Sequence, residues 1–186
     1  MLWGKPRPDL QLPRATVGRT HFPDVLPVPM ATRVGAYGVC VENDQVLLTR
    51  WTPRREVPAQ WTLPGGQVEY GEDPVDAVTR EFAEETGHHI TVVRLLGVDS
   101  RTITSAQRLD HGPDLHNVGI YYQVRITGGE LRSEPDGMTA EPTWVPVIEV
   151  SELVRATLVD IGLALLRERP ETGHVAAVPV EGLRRH

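Results

Sequence analysis

Three glutamates stand close together in one short stretch of the sequence. They are Glu81, Glu84 and Glu85, and on a helix they would share an arc of about 100°. Like charges at these spacings repel each other by a few tenths of a kcal/mol per pair. A hard divalent cation such as Mg²⁺ would relieve the repulsion and keep ligand positions for water or a phosphate. The pattern indicates a carboxylate metal site, and the alternative is a solvated acidic helix face.

The segment from Asp73 to Gly87 has the features of a helix that could carry these glutamates. Asp73 is a suitable N-cap, Pro74 suits the first helical position, and Gly87 suits the position after the last turn. Apolar residues at helical spacing predict a narrow stripe that faces a core. The stripe consists of Val75, Val78 and Phe82.

A loop with paired glycines precedes this helix. Gly65 and Gly66 can offer backbone carbonyls to an ion or let a ligand approach closely. Arg80 lies four residues before Glu84, so it can neutralise that carboxylate but leaves the other two. The glycine loop therefore favours the metal-site interpretation over the solvated face.

The spacing of the loop and helix residues resembles the Nudix box of the Nudix hydrolases. The resemblance covers 22 contiguous positions and departs from the family only at His88, where an aliphatic residue is usual. The matching residues are Gly66, then after five residues Glu72, then after seven residues Arg80-Glu81-Phe82-Ala83-Glu84-Glu85-Thr86-Gly87.

The resemblance implies an α/β fold, an α/β/α sandwich around a mixed β-sheet, and hydrolysis of a diphosphate linked to another moiety. It implies that Glu81, Glu84 and Glu85 bind Mg²⁺ or Mn²⁺, with the carbonyl of Gly66 contributing. It also implies that Arg80 acts catalytically by orienting a neighbouring glutamate. Glu72 would support the loop–helix geometry or bind metal.

A further base and the substrate contacts are less sharply indicated. Family members often recruit a carboxylate from the region before Trp144, where Asp136 and Glu141 are the preferred candidates. Arg50 ends a predicted strand and could meet a substrate phosphate. The alternative is that the two carboxylates are solvated loop residues and that Arg50 forms a surface salt bridge. Two further carboxylates in this region are Glu130 and Glu134.

The remaining pattern predicts a mixed α/β domain with strands before, between and after two helices. We expect a domain over 31–169, a proline-rich arm over 1–30 and a loosely ending tail over 170–186. The arm carries six prolines and is predicted to pack on the domain and to help form a homodimer. Predicted strands cover 34–41, 90–98, 119–126 and 143–147, one further strand starts at 46, and the second helix is predicted over 150–166.

Composition limits the classes of function. The chain has 186 residues, enough for one domain, and a net charge of −6, which disfavours a nucleic-acid polymer as partner. No apolar run is long enough to span a bilayer, so no membrane partner is expected. Cys40 is the only cysteine, and a chain without an internal disulfide fits the cytoplasm.

Three functions follow from the resemblance. The first is a Mg²⁺-dependent hydrolase of a small nucleoside diphosphate derivative, such as a nucleotide, a nucleotide sugar or ADP-ribose. The second is a catalytically silent Nudix-like sensor that binds a nucleotide. The third is an isomerase of the isopentenyl diphosphate type, which would need a catalytic cysteine, although Cys40 lies in no matching motif.

Overall fold

The computed structural model describes most of the domain that the sequence predicts. Described residues are 30–52, 59–107, 112–133 and 139–176. The predicted arm, except for its last residue, and the last ten residues of the predicted tail lie outside this set. Asp136 and Glu134 also lie outside the described residues.

Eight strands and two helices follow one another along the described chain. Two short 3₁₀ turns, at Ser105–Gln107 and Val147–Glu152, complete the elements. The elements are β1 (Met30–Val39), β2 (Val41–Glu42), β3 (Gln45–Trp51), β4 (Gln60–Thr62), β5 (Gly65–Gln67), α1 (Pro74–Thr86), β6 (His88–Ile103), β7 (Asp114–Gly129), β8 (Thr139–Pro146) and α2 (Thr157–Glu168).

The strands form two sheets. One sheet has the order β5-β1-β7-β6, with β1 and β7 parallel and the other pairs antiparallel. The second has the order β2-β3-β4, with β8 antiparallel to β3. The parallel β1–β7 pair makes the first sheet mixed, as expected.

Alternating side chains of β1 supply two hydrophobic clusters on opposite faces of the sheet. Ala36 belongs to the cluster that contains Phe82 of α1. Tyr37 belongs to the cluster that contains Leu165 of α2. Because successive strand residues point to opposite faces, the two helices cover opposite sides. The predicted α/β/α sandwich is confirmed.

The first helix matches its prediction closely. It runs from Pro74 to Thr86, the Asp73 side chain accepts a hydrogen bond from the Val75 N–H at 2.8 Å, and Gly87 is left-handed at φ 75°. Its buried apolar face is formed by Ala77, Val78 and Phe82. The placement of Val75 in the buried stripe is wrong, because this residue of the first helical turn is 39% exposed, and the buried stripe starts with Ala77 and Val78.

The second helix begins later than predicted. It starts at Thr157 rather than at 150, and Val154, which lies within the predicted helix, is 46% exposed and outside the observed one. The reason is a competing set of backbone hydrogen bonds. The Trp61 N–H donates to the Val154 carbonyl at 2.9 Å, and the Ala156 N–H donates to the Trp61 carbonyl at 2.8 Å. This segment therefore runs extended beside β4.

The start of the predicted tail belongs to the domain. Val175 is buried in the α2-side cluster, and the Val98 N–H donates a 3.0 Å hydrogen bond to the Gly173 carbonyl. The expectation of a loose tail from 170 is therefore wrong as far as 176. Neither helix within the described ranges has the length and apolar character needed to cross a membrane.

Candidate active site

The backbone of the glycine loop lies directly against the glutamates of α1. Gly66 is paired with Ala36 in the β5–β1 ladder. A Cβ atom at position 66 would lie 2.5 Å from the Glu81 carboxylate. Only glycine permits this approach, which brings a loop backbone next to a charged side chain.

A second contact joins the loop to the last turn of α1. The Gly65 N–H donates a 3.0 Å hydrogen bond to Glu85 Oε2. Gly65 has φ 138°, a conformation that side chains disfavour. Glu85 is 6% exposed, so its carboxylate is not part of a solvated acidic face.

Arg80 is the centre of an ion-pair network that is larger than expected. Its guanidinium forms a two-pronged contact with Glu72, from Nε to Oε1 at 2.9 Å and from Nη2 to Oε2 at 3.0 Å. Nη1 lies 3.0 Å from Glu81 Oε1 and 3.2 Å from Glu84 Oε2. Nη2 also donates to the Gln67 carbonyl at 3.3 Å.

This network shifts the protonation equilibria of its members. The hydrogen bond from Arg80, helped by the Glu69 N–H, lowers the pKa of Glu72 to about 2. The same carboxylate raises the pKa of Arg80 above its ordinary value. Glu72 therefore stays ionised and holds the guanidinium between the loop and the helix.

The donor set suits a hard divalent cation. Three carboxylates, from Glu72, Glu81 and Glu84, contact the positive charge of Arg80, and the carboxylate of Glu85 accepts from the Gly65 N–H. Glu84 is the most accessible of the three box glutamates on α1, with its side chain 49% exposed against 19% for Glu81. All ligand atoms would be oxygen, which Mg²⁺ and Mn²⁺ accept.

The carboxylates do not form a compact ligand cluster in the part of the chain that the structure describes. No three His, Cys, Asp or Glu side chains there converge in the manner of a metal site. Arg80 contacts two of the helix glutamates, and the Gly65 N–H contacts the third. Arg80 thus supplies the counter-charge in this arrangement.

The predicted substrate-binding residues Arg50 and Glu141 form an ion pair with each other. Arg50 Nη1 lies 3.1 Å from Glu141 Oε2, and both side chains are exposed. The two residues are brought together by the β3–β8 ladder, where Arg50 pairs with Ala140. This contact corresponds to the surface salt bridge that was the alternative for Arg50. Asp136 lies outside the described residues, so its predicted role is untested.

Two backbone groups of the site were missed by the sequence reasoning. They are the N–H of Gly65, which holds Glu85, and the carbonyl of Gln67, which holds Arg80. The paired glycines signalled a close backbone approach, but no sequence pattern indicates which backbone atom meets which side chain.

Cys40 has none of the properties of a catalytic thiol. It is completely buried, and burial, assisted by the charge of Glu42, raises its pKa to about 12. A thiolate nucleophile needs a lowered pKa and access to substrate. The isomerase alternative has no support from this residue.

The fold and the site together agree with a comparison to known protein families. The profile of the NUDIX domain matches residues 30–165, and the chain belongs to the Nudix family. This confirms the resemblance that the box residues carried.

Relatives and solved structures agree with this membership. A human 8-oxo-dGDP phosphatase is 34% identical over 117 residues, covering 62% of this chain and 32% of the relative. An ADP-ribose pyrophosphatase of Methanocaldococcus jannaschii is 36% identical over 110 residues, covering 58% of this chain and 59% of the relative. A Nudix hydrolase structure from Nitrosomonas europaea covers 74% of this chain and 89% of its own, with 22% identity and a TM-score of 0.59.

These similarities concern the domain rather than whole proteins. The matched segment spans about a third of the length of several of the relatives, the human protein among them. The Nitrosomonas europaea structure shares the fold at low sequence identity.

Proposed function

We propose that this chain is a Nudix pyrophosphohydrolase that uses Mg²⁺, or Mn²⁺ in its place, to cleave a pyrophosphate bond in a nucleoside diphosphate derivative. The observation that carries the proposal is the burial of Glu85 against the Gly65 N–H, next to Glu81 and Gly66. A solvated acidic face would not place a carboxylate in this position.

Glu81, Glu84 and Glu85 are proposed to hold the divalent cation, with the carbonyl of Gly66 as a further ligand. The cation would neutralise the phosphate oxygens and lower the pKa of a bound water. Arg80 is proposed to orient the glutamates, because it already contacts Glu81 and Glu84.

The role of Glu72 in this proposal is to position Arg80. Its two-pronged contact fixes the guanidinium in one plane, which leaves Nη1 directed at the helix glutamates. The attacking water would lose its proton to a glutamate of α1 or to a carboxylate of the region that contains Asp136 and Glu141.

The substrate class rests on what the relatives share. The human and archaeal relatives are named for 8-oxo-dGDP and ADP-ribose, and both compounds are nucleoside diphosphates or derivatives of one. We propose the same class here, and we propose that Arg50 takes part in binding its phosphates. A cytoplasmic location and a homodimer formed with the help of the arm remain proposals.

The test is a panel of substrates incubated with the protein and Mg²⁺, with products separated by chromatography. It should contain a nucleoside triphosphate, an oxidised nucleotide, ADP-ribose, a nucleotide sugar and a dinucleoside polyphosphate. Release of phosphate, pyrophosphate or a nucleoside monophosphate supports the hydrolase. Binding of a nucleotide without release of any product would favour the silent sensor.

A further inference from the structure

A row of three polar side chains crosses the face of the four-stranded sheet that is opposite to α1. Asn117 of β7 pairs with Arg33 of β1 on one side and with Arg101 of β6 on the other. Paired residues project to the same face, and neighbouring strands are about 4.8 Å apart. The two arginines thus flank Asn117 at a separation of roughly 10 Å between their backbones.

Two tyrosine hydroxyls point toward this row. Gly35 and Gly119 are paired across β1 and β7. A Cβ atom on Gly35 would lie 2.7 Å from the hydroxyl oxygen of Tyr37, and one on Gly119 would lie 3.0 Å from that of Tyr121. Each ring therefore folds back along its strand over a glycine. The glycines leave the space in which the hydroxyls approach the row.

Each tyrosine is associated with one arginine. Arg33 Nη1 donates to the Tyr37 hydroxyl at 3.2 Å, and the positive charge of Arg101 opposes the rise in the pKa of Tyr121. Burial, assisted by Tyr37, raises the pKa of Tyr121 above its ordinary value. A protonated phenol that accepts from an arginine still has a hydrogen to donate.

Hydrogen-bond donors exceed acceptors in this row. Within the described part of the chain, the Arg101 Nε atom is buried and has no hydrogen-bond partner, and it lies 3.7 Å from an Asp99 oxygen. Among the described residues, no carboxylate is within ion-pair distance of Arg33. A buried donor without a partner is costly, and arginine forks match the oxygens of phosphate and carboxylate groups.

We propose that the Arg33–Asn117–Arg101 row is an oxyanion site that binds a phosphate group. Phosphate binding by the row does not require the hydrolase proposal, because the row lies on the other face of the sheet from α1. Only the first of the two sources named next rests on that proposal. The phosphate has two sources: a phosphoryl group of the same molecule that is hydrolysed, or a separate phosphate ion.

The first test is calorimetric titration of the full chain with inorganic phosphate in the absence of divalent cations. We expect binding by the wild type, and binding at least about tenfold weaker in Arg33→Gln and in Arg101→Gln, since each removes charge-assisted hydrogen bonds. Arg94→Gln is the matched control, because Arg94 is an exposed arginine of β6 outside the row. It should bind phosphate like the wild type.

Two further variants keep the test informative if a glutamine variant fails to fold. Arg33→Lys retains the charge but loses the planar fork, so it should bind phosphate more weakly than wild type and more tightly than Arg33→Gln. Tyr37→Phe removes one hydroxyl and retains the packed ring, and it should also weaken binding. Absence of phosphate binding by the wild type, or equal binding by the wild type and the folded row variants, would overturn the proposal.

Steady-state kinetics separate the two sources. If the phosphate belongs to the hydrolysed molecule, the row variants raise KM and inorganic phosphate competes with substrate. If it is a separate ion, KM is unchanged while phosphate affinity falls. If the hydrolase proposal is wrong, the wild type will show no turnover with any substrate of the panel. Phosphate binding by the row would be unaffected by that result.

Discussion

The backbone N–H of Gly65 and the carboxylate of Glu85 are joined by a 3.0 Å hydrogen bond across twenty residues of sequence. This contact fixes the end of α1 relative to β5, so the glutamates and the loop backbone move together. A mutation that shifts either partner should therefore lower kcat/KM by a larger factor than its effect on the free energy of unfolding would suggest.

Replacing Gly66 with alanine tests this close packing. The new Cβ would lie 2.5 Å from the Glu81 carboxylate, so this side chain must move. We expect kcat/KM to fall by about 100-fold, as displacements of about 1 Å in an active site can do, with a loss of about 1–3 kcal/mol in the free energy of unfolding.

Gly128→Ala is the control for this variant. An added Cβ at Gly128 would meet only the His89 ring at 4.0 Å, so both kcat/KM and the unfolding midpoint should stay near wild type. Equal activity of the two alanine variants would contradict the close-approach role of Gly66.

Glu84→Gln and Glu85→Gln separate metal binding from folding. Each removes one negative charge and relieves repulsion on α1, and the glutamine oxygen can still accept the Gly65 N–H. We expect both apo proteins to melt within a few degrees of wild type. Added Mg²⁺ should raise the melting temperature of the wild type by mass action and that of the variants much less.

The control for these glutamates is Glu149→Gln, which removes an exposed charge from the 3₁₀ turn at Val147–Glu152. Its response to Mg²⁺ should equal that of the wild type. A full Mg²⁺ shift in Glu84→Gln and in Glu85→Gln would show that neither glutamate is a ligand.

Glu72 should contribute a pH-dependent part of stability. Its pKa falls from an ordinary value of 4.5 to about 2 when the protein folds. A lowered pKa means that the stabilisation is complete above about pH 4.5 and is lost as the pH falls toward 2. Glu72→Gln should melt below wild type at neutral pH, and the two melting curves should converge in acid.

High salt should reduce the difference in melting temperature between the wild type and Glu72→Gln, because ion pairs near the surface are screened. Melting temperatures measured from pH 2 to 7 at two ionic strengths check both expectations. If the difference in melting temperature stays unchanged at pH 2, the contact between Glu72 and Arg80 is not the cause of that difference.

The exposed Arg50–Glu141 pair should contribute little to folding. Pairs of this kind have coupling energies of about 0.2–1 kcal/mol, which a double-mutant cycle with Arg50→Met and Glu141→Gln can measure. We expect a coupling energy below about 1 kcal/mol. We also expect KM to be higher in the Arg50→Met single mutant and in the double mutant than in the wild type. An unchanged KM would remove Arg50 from the substrate contacts.

The sequence predicted the first helix and its site best because the signals there are local. Asp73 and Gly87 cap the helix in the structure as they do in the pattern. The start of α2 was predicted too early, because the backbone of Trp61, far away in the sequence, takes the hydrogen bonds of Val154 and Ala156. Such long-range competition leaves no trace in local periodicity.

The same distinction applies to the site. Glutamates at helical spacing reveal a shared face, but the contacts of Arg80 with Glu72 and with the Gln67 carbonyl depend on how the loop returns to the helix. The row of Arg33, Asn117 and Arg101 depends on strand register, which a single sequence does not specify.

Steady-state hydrolysis by Glu84→Gln is the most direct test of the metal role of the α1 glutamates. The wild type and the variant should be compared with Mg²⁺ on the best substrate of the panel, with Glu149→Gln as control. We expect turnover by Glu84→Gln to fall by orders of magnitude, because charge neutralisation and water activation are lost together, while the control keeps wild-type turnover. Wild-type turnover in a folded Glu84→Gln protein would contradict the assignment of this glutamate as a metal ligand.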